Sequence, residues 1–270
     1  MDDKVFNQIL HELASESGFT ATRVLDGVYE LKKGSKKIYI KGKNFGLNTA
    51  LAASFSKNKA YTFEILRRNK VKSVPHYELY QPVFFSYFGD QVKRNNLRIN
   101  AVIKTEKLPL VLKPAEGCKA RDVYLVHSKR QLNKLMDKLF IYEKNLVLSP
   151  FREIQHEYRV IILNSKVELV FDKVKKERVR RGKLVFGAKA KIVKPDEKPY
   201  KKLEAIAKKA SKALGLDFCS VDIIDTEKEG LEVLEINSSV CLGKFGNQSQ
   251  EHYDIAKSIY KKVFKKTCKK

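Results

Sequence analysis

The chain has 270 residues, 43% hydrophobic and 10% aromatic, enough for a substantial buried core in one large domain or two or three small ones. Its formal charge is +24, from 55 basic and 31 acidic residues. That exceeds what solubility needs and points to an anionic partner: nucleotide, acidic peptide, nucleic acid or membrane surface. Four scattered cysteines (Cys118, Cys219, Cys241, Cys268) with no CxxC argue against a disulfide frame or zinc site, and five dispersed histidines offer no Ser-His-Asp arrangement. The start, MDDKVFNQ, is acidic without an apolar signal segment, and no run of about 18 apolar residues exists to span a bilayer. The expectation is a reduced, cytoplasmic protein with no membrane partner.

Residues 3–17 carry Val5, Ile9, Leu10 and Leu13 at helical spacing, ended by Gly18. Two strands are expected next, 27–32 and 36–41, joined through Gly34 and Ser35. Residues 48–69 read as largely helical until Val74-Pro75, where the residue before proline avoids helical backbone. The aromatic-rich stretch 76–104 gives no assignable pattern.

Leu108 to Lys113 reads as a buried strand, followed by PAEGCKARD and a second strand, 123–126. A lysine at the strand end before a glycine-bearing loop can cover phosphates, with backbone N–H groups facing the anion. An ordinary exposed turn with a surface lysine has the same pattern. Ser128 caps a helix running to Leu139, and 146–148 is a short strand. Residues 157–163 and 166–171 form a hairpin around Asn164-Ser165. Residues 173–194 hold ten basic residues and one acid, with Gly182 and Gly187. This is either a solvated mobile loop or a cationic lid over an anionic substrate. A helix follows to its stop at Gly215. A last helix, 251–266, has seven lysines between Lys257 and Lys270, giving it a basic outer face.

Before that last helix lies FCSVDIIDTEKEGLEVLEINSSVCLG, residues 218–243. Two apolar runs, 218–225 and 231–237, flank a turn. With a four-residue loop at 227–230, Thr226 pairs with Leu231 and Asp222 falls opposite Glu235. Glu235 and Asn237 are two apart and share a face. Facing carboxylates repel one another unless a cation joins them. Carboxylate and amide oxygens suit a hard divalent ion such as Mg²⁺, which adds phosphate oxygens and waters to a few protein ligands. The competing reading is a half-solvated hairpin whose acids point at water.

The order of these parts resembles the ATP-grasp superfamily of carboxylate–amine ligases. It is most similar to the ligase domains of cyanophycin synthetase and the bifunctional glutathione synthetases. Ribosomal-protein glutamate ligases and D-alanine–D-alanine ligases are more distant likenesses. The similarity runs from about Leu10 onward. VDII…LEVLEINSS resembles the family's metal motif at all three ligand positions, Asp222, Glu235 and Asn237. NKAYTFEIL followed by VP resembles the segment whose lysine contacts ATP phosphates, which implies that role for Lys59. VLKPAEG resembles the strand-end lysine and glycine-rich loop, implying Lys113 and Gly117. LVLSPFREIQHEYRV resembles the adenine hinge and ribose-binding acid, implying Ser149, Pro150 and Phe151 near adenine and Glu157 on the ribose. Arg159 sits where related peptide ligases have an arginine near the reacting centre, and Lys173 where cyanophycin-type enzymes carry a basic residue.

The resemblance implies an α+β, ATP-grasp fold: two α+β subdomains gripping ATP between antiparallel sheets, with a short N-terminal α+β unit. The expected divisions are 1–48, 49–145 with the phosphate-covering hairpin 108–126, and 146–270 with hinge, basic lid and metal hairpin. It implies ATP with Mg²⁺ or Mn²⁺ as cofactors, and small-molecule or peptide carboxylate and amine substrates, an acidic amino acid or peptide among them. The chain departs from the pattern in its phosphate loop, where Ala120 and Asp122 stand in glycine positions, at the hinge, where Ser149 replaces an acid, and at Ser239-Val240-Cys241, where relatives read Ser-Pro-Gly. Two alternatives follow. One is an ATP-grasp kinase phosphorylating a polyanionic alcohol. The other is a non-catalytic binder of ATP or nucleic acid, with an anionic macromolecule on the basic lid and C-terminal helix. Oligomeric state stays open, with a homodimer among the alternatives.

Overall fold

The computed structural model describes residues 4–84, 86–117, 121–180 and 183–269, with the strands over 175–180 and 183–188 described by their backbone. Cys118, Ala120 and Gly182 lie outside the described residues.

The first unit is α1 (Lys4–Glu16) and an antiparallel sheet of β1 (Thr20–Leu25), β2 (Val28–Lys33) and β3 (Lys36–Lys41). β1 escapes the sequence reading because all but one of its residues are exposed, leaving no apolar alternation to detect. The predicted helical stretch is two helices, α2 (Ala50–Lys57) and α3 (Lys59–Arg68). They part at Asn58, whose extended backbone breaks the first and whose side chain accepts hydrogen bonds from the N–H groups of Ala60 and Tyr61 to start the second.

The unassigned stretch holds β4 (Tyr77–Tyr80) and α4 (Gln91–Glu106). Next come β5 (Leu110–Pro114), β6 (Tyr124–Val126), α5 (Lys129–Leu139) and β7 (Asn145–Pro150). Ser128 caps α5 as expected, its hydroxyl accepting from the Gln131 N–H. Then follow β8 (His156–Leu163), β9 (Lys166–Arg180), β10 (Lys183–Ile192), α6 (Lys198–Leu214), β11 (Phe218–Thr226), β12 (Gly230–Asn237), α7 (Gly243–Gly246) and α8 (Gln250–Thr267). Gly215 ends α6 at φ +67°, the left-handed geometry glycine adopts without penalty.

The basic stretch 173–194 is not the expected loop. β9 and β10 form a long hairpin with ten consecutive pairs, from Lys183 opposite Arg180 to Ile192 opposite Phe171. Strand pairing here needs only the backbone ladder. Lys183 also pairs with Tyr124 of β6, which joins two halves into one nine-stranded sheet of order β12-β11-β8-β9-β10-β6-β5-β7-β4.

Three larger apolar clusters among the described residues follow from strand alternation. α4 and α5 pack Ile99, Val102, Leu132 and Met136 on β4–β7. α2, α3 and α6 cover one face of β8, β9, β11 and β12, burying Leu66, Leu203, Ala207, Val160, Val221, Val233 and Ile236. The opposite face, at the end bearing Ile161, Leu163, Leu169, Phe171 and Phe218, packs on α1, β2–β3, α7 and α8. Lys257 and Lys261 of α8 pair with Glu16 and Lys262 with Glu168, so the basic helix is partly neutralised within its own chain.

Buried Tyr260 of α8 fixes the chain leaving β12. Its hydroxyl donates to the Val240 carbonyl at 2.9 Å and accepts from the Leu242 N–H at 3.2 Å. Tyr260→Phe strands both groups in the core and is expected to cost about 1–3 kcal/mol, readable as a lowered urea midpoint at unchanged slope.

Candidate active site

The face of β8, β9 and β11 that is apolar at one end becomes charged at the other. Register sets Arg159 opposite Asp222, and Asp222 opposite Glu235. Arg159 grips Asp222 with two parallel bonds, Nε to Oδ1 at 2.7 Å and a terminal nitrogen to Oδ2 at 2.6 Å. Lys173 Nζ donates to Glu157 at 2.6 Å and lies 2.9 Å from Asp222 Oδ2. The four form a chain of alternating sign, Glu157–Lys173–Asp222–Arg159. Asp222 is 1% exposed. Burial by itself would raise its pKa, but the charges of Arg159 and Lys173 outweigh that and hold the carboxyl well below the usual carboxylate range.

The hairpin reaches the expected Asp222–Glu235 pairing by a different route. The turn is one residue shorter, with Thr226 paired to Gly230 and Ile223 to Val233. A β-bulge at Leu234 then restores Asp222 opposite Glu235 and Ser220 opposite Asn237. The bulge also switches faces along β12. Val233 and Ile236, three apart, both enter the apolar core, while Glu235 and Asn237 stay on the other face, where Asn237 donates to Glu235 at 3.0 Å.

On the other half, the α3 N-terminus is stapled to the end of β5. Lys59 N–H donates to the Ala115 carbonyl at 3.0 Å. Its ammonium lies 3.4–3.5 Å from the carbonyls of Pro114, Ala115 and Gly117. Lys113, at the end of β5, is pushed down to about 8 by burial and by the neighbouring Lys59, against the opposing pull of Glu235 and Glu157. It therefore feels charges from both halves. Ser149 and Pro150 end β7, paired with Val111 and Leu110, and the Phe151 N–H donates to Pro109. Asp122 adopts φ +56°, the left-handed geometry consistent with a glycine position, and its carboxylate accepts from the Tyr124 hydroxyl.

A cavity of about 280 Å³ opens between α2–α3 and β12, lined by Lys59, Gly117, Glu235 and Asn237 together with Ser73 and His76. Lys113, Ser149, Pro150, Phe151, Glu157, Arg159, Lys173 and Asp222 are not among its lining residues. Ser73 and His76 are additions that no sequence motif announced. The oxygen donors Asp222, Glu235 and Asn237 fit a hard cation in kind. Asp222 is ion-paired with two cations, while Glu235 accepts from Asn237 and acts on Arg159 through its charge. Among the described residues no group of three or more His, Cys, Asp or Glu side chains is arranged to hold a metal.

The architecture is that of the ATP-grasp ligases. The D-alanine–D-alanine ligase of Bacillus anthracis superposes with a TM-score of 0.62 at 17% identity, covering 82% of this chain and 69% of that one. A structure of that enzyme complexed with ATP gives 0.58 at 15% identity, over 83% and 70%. The sequence profile of the RimK-like ATP-grasp domain matches residues 56–263, and the chain belongs to that family, within the superfamily of carboxylate–amine ligases that form carbon–nitrogen bonds. A probable alpha-L-glutamate ligase of Vibrio vulnificus (strain YJ016) is 26% identical over 223 residues, 82% of this chain and 67% of that protein. One from Shewanella loihica is 25% identical over 226 residues, 82% and 68%. No described helix is long and apolar enough to cross a membrane.

Proposed function

We propose that this chain is an ATP-dependent carboxylate–amine ligase working through an acylphosphate, with an acidic amino acid, L-glutamate first, as the amine substrate. The observation that carries this reading is the opposition of Lys59 and Lys113 on one half to Glu157, Glu235 and the Asp222 network on the other. An anion clamp faces an oxygen-donor set, as transfer of a phosphoryl group to a carboxylate requires. The carboxylate attacks the γ-phosphorus, giving the acylphosphate and ADP. The amine then attacks the acyl carbon and phosphate leaves.

Lys59 and Lys113 neutralise phosphate oxygens. Ser149, Pro150 and Phe151 line the adenine and Glu157 accepts from the ribose. Glu235 and Asn237 would hold Mg²⁺ or Mn²⁺, joined by Asp222 once Arg159 and Lys173 yield, and the ion when bound supplies charge compensation to the transferring phosphoryl. Arg159, released from Asp222, steadies the acyl centre. Lys173, once it has yielded Asp222, still holds Glu157. The basic hairpin 173–194 favours an acidic substrate.

The test is incubation with ATP, Mg²⁺ and a pool of amino acids and short acidic peptides, with mass spectrometry of the products. An ATP-dependent mass equal to two components minus water supports the ligase. A product heavier by one phosphoryl group, or binding of ATP without any product, overturns it.

A pH dependence follows from Lys113. With its free-state value near 8, the lysine is charged below that pH and neutral above it, whereas bound phosphates restore the charged form. ATP affinity is expected to be flat below pH 8 and to fall by up to about tenfold per pH unit above it, with proton uptake on binding. Calorimetry in two buffers of different ionisation enthalpy reads both. Lys113→Met should abolish the slope.

A further inference from the structure

The segment between α3 and β4 is fastened to the bulged strand. The Val74 N–H donates to the Val233 carbonyl at 2.9 Å, and the Val233 N–H to that of Lys72 at 3.0 Å. Ser73 thus lies beside Val233, next to the bulge, and His76 follows where the segment turns into β4. His76 is 4% exposed, yet its Nε2 has no hydrogen-bond partner, and the buried Ser73 Oγ has none either. Both residues line the cavity that holds Glu235 and Asn237. Buried polar atoms left unpaired cost about 1–3 kcal/mol each, so two of them on residues lining one cavity mark a place where something polar binds.

The chemistry of the two atoms narrows what that is. The ring bonds the Val74 backbone in a sense that favours its protonated form, so one ring nitrogen donates there. Burial, then Lys113 and Lys59, hold the ring well below the usual histidine range and keep it neutral. In neutral imidazole the nitrogen that does not donate is an acceptor. Nε2 therefore offers a lone pair, and the Ser73 hydroxyl oxygen offers others. A ring nitrogen that can only accept does not suit a carboxylate or phosphate, and the Ser73 hydroxyl can accept beside it. The pair suits the N–H bonds of a neutral amine, because the burial that chiefly keeps His76 deprotonated, together with the charges of Lys113 and Lys59, also disfavours an ammonium ion.

We propose that His76 Nε2 and Ser73 Oγ form the amine subsite of the ligase, each accepting one N–H of the acceptor's amino group so that the nitrogen lone pair stays unengaged for attack on the acyl carbon. This rests on the ligase reading. His76 and Ser73 are positioning residues, and no proton transfer to His76 is invoked.

The test uses the full chain with L-glutamate, or whichever amine the product mass identifies. In His76→Phe, His76→Asn and Ser73→Ala the KM for the amine is expected to rise about 10- to 100-fold, the range for losing a buried hydrogen-bond partner. KM for ATP should stay within twofold, and hydroxylamine at saturation should still trap the acyl group as its hydroxamate. A structural role alone would move all three together. Amine KM values within twofold of wild type in folded Ser73→Ala and His76→Asn overturn the proposal.

Independently of turnover, the His76 ring-nitrogen resonance, assigned by its loss in His76→Asn, should shift with L-glutamate and not with glutarate, which lacks the amine. An equal shift with both, or none with either, also overturns it, the latter pointing to an ordered water in the site. Failure of the wild-type protein to make any amide product defeats the ligase reading itself, and is read before the variants are compared.

Discussion

Asp222→Ala is expected to cost about 3–5 kcal/mol of folding stability, before any effect on catalysis is counted. The carboxylate is buried between Arg159 and Lys173, and its removal leaves two largely buried cations with Glu157 and the charge of Glu235 to answer them. Much of the stability of an ordinary domain is of this size. Urea unfolding should show the midpoint falling sharply. The acid limb also changes. A carboxyl held below its ordinary value of 3.8 contributes fully above that pH and loses its contribution only as pH falls through the depressed value. In Asp222→Ala that acid-dependent component should vanish. An unfolding free energy within about 0.5 kcal/mol of wild type would mean that Arg159 and Lys173 find other partners. Loss of activity in this variant is therefore ambiguous between chemistry and folding.

Glu235→Gln separates the two. Glu235 sits across the strand pair from Asp222, half-buried, with Asn237 donating to it. An amide fills the same volume and can still accept that bond. Stability should stay within about 0.5 kcal/mol, while product formation falls by about 10²–10³-fold, the scale for removing one electrostatic contact to a reacting group. The measurements are initial rates of product formation, and ATP binding with and without Mg²⁺. Full activity in folded Glu235→Gln would remove this residue from the proposed metal set. A binder of nucleic acid with no catalysis would lose nothing in either assay, so the pair of variants separates the enzyme from that reading.

What could be read from the chain depended on how local the cause was. Ser128, Gly215 and the strand-end Lys113 act through their own few neighbours, and each sits where its residue type predicts. The Asp222–Glu235 pairing was legible, although the loop assumed for it was one residue too long. The bulge compensates for the shorter turn, and its signal was present. In LEVLEIN the alternation of polar and apolar residues breaks at Val233-Leu234, where two apolar residues stand together. The strands of the basic hairpin were hidden because charge dominated the reading of 173–194, whereas the ladder there is a property of the backbone. His76 could not be found from sequence at all. Its burial and its unmet nitrogen come from the docking of residues 72–74 along β12, a contact more than 150 positions away in the chain.

The bulge at Leu234 has a consequence for how this hairpin can change over evolution. It is an extra residue that the sheet has absorbed, with ordinary pairing resuming on both sides. Glu235 and Asn237 take their place from the pairing nearest the core, through Val221–Ile236 and Ser220–Asn237, and not from the turn at 227–229. Insertions and deletions at the tip are thereby uncoupled from the ligand end. A lineage can lengthen, shorten or recharge the TEKEG turn without moving an oxygen of the site, so natural length variation should concentrate on the turn side of Val233 and stop there.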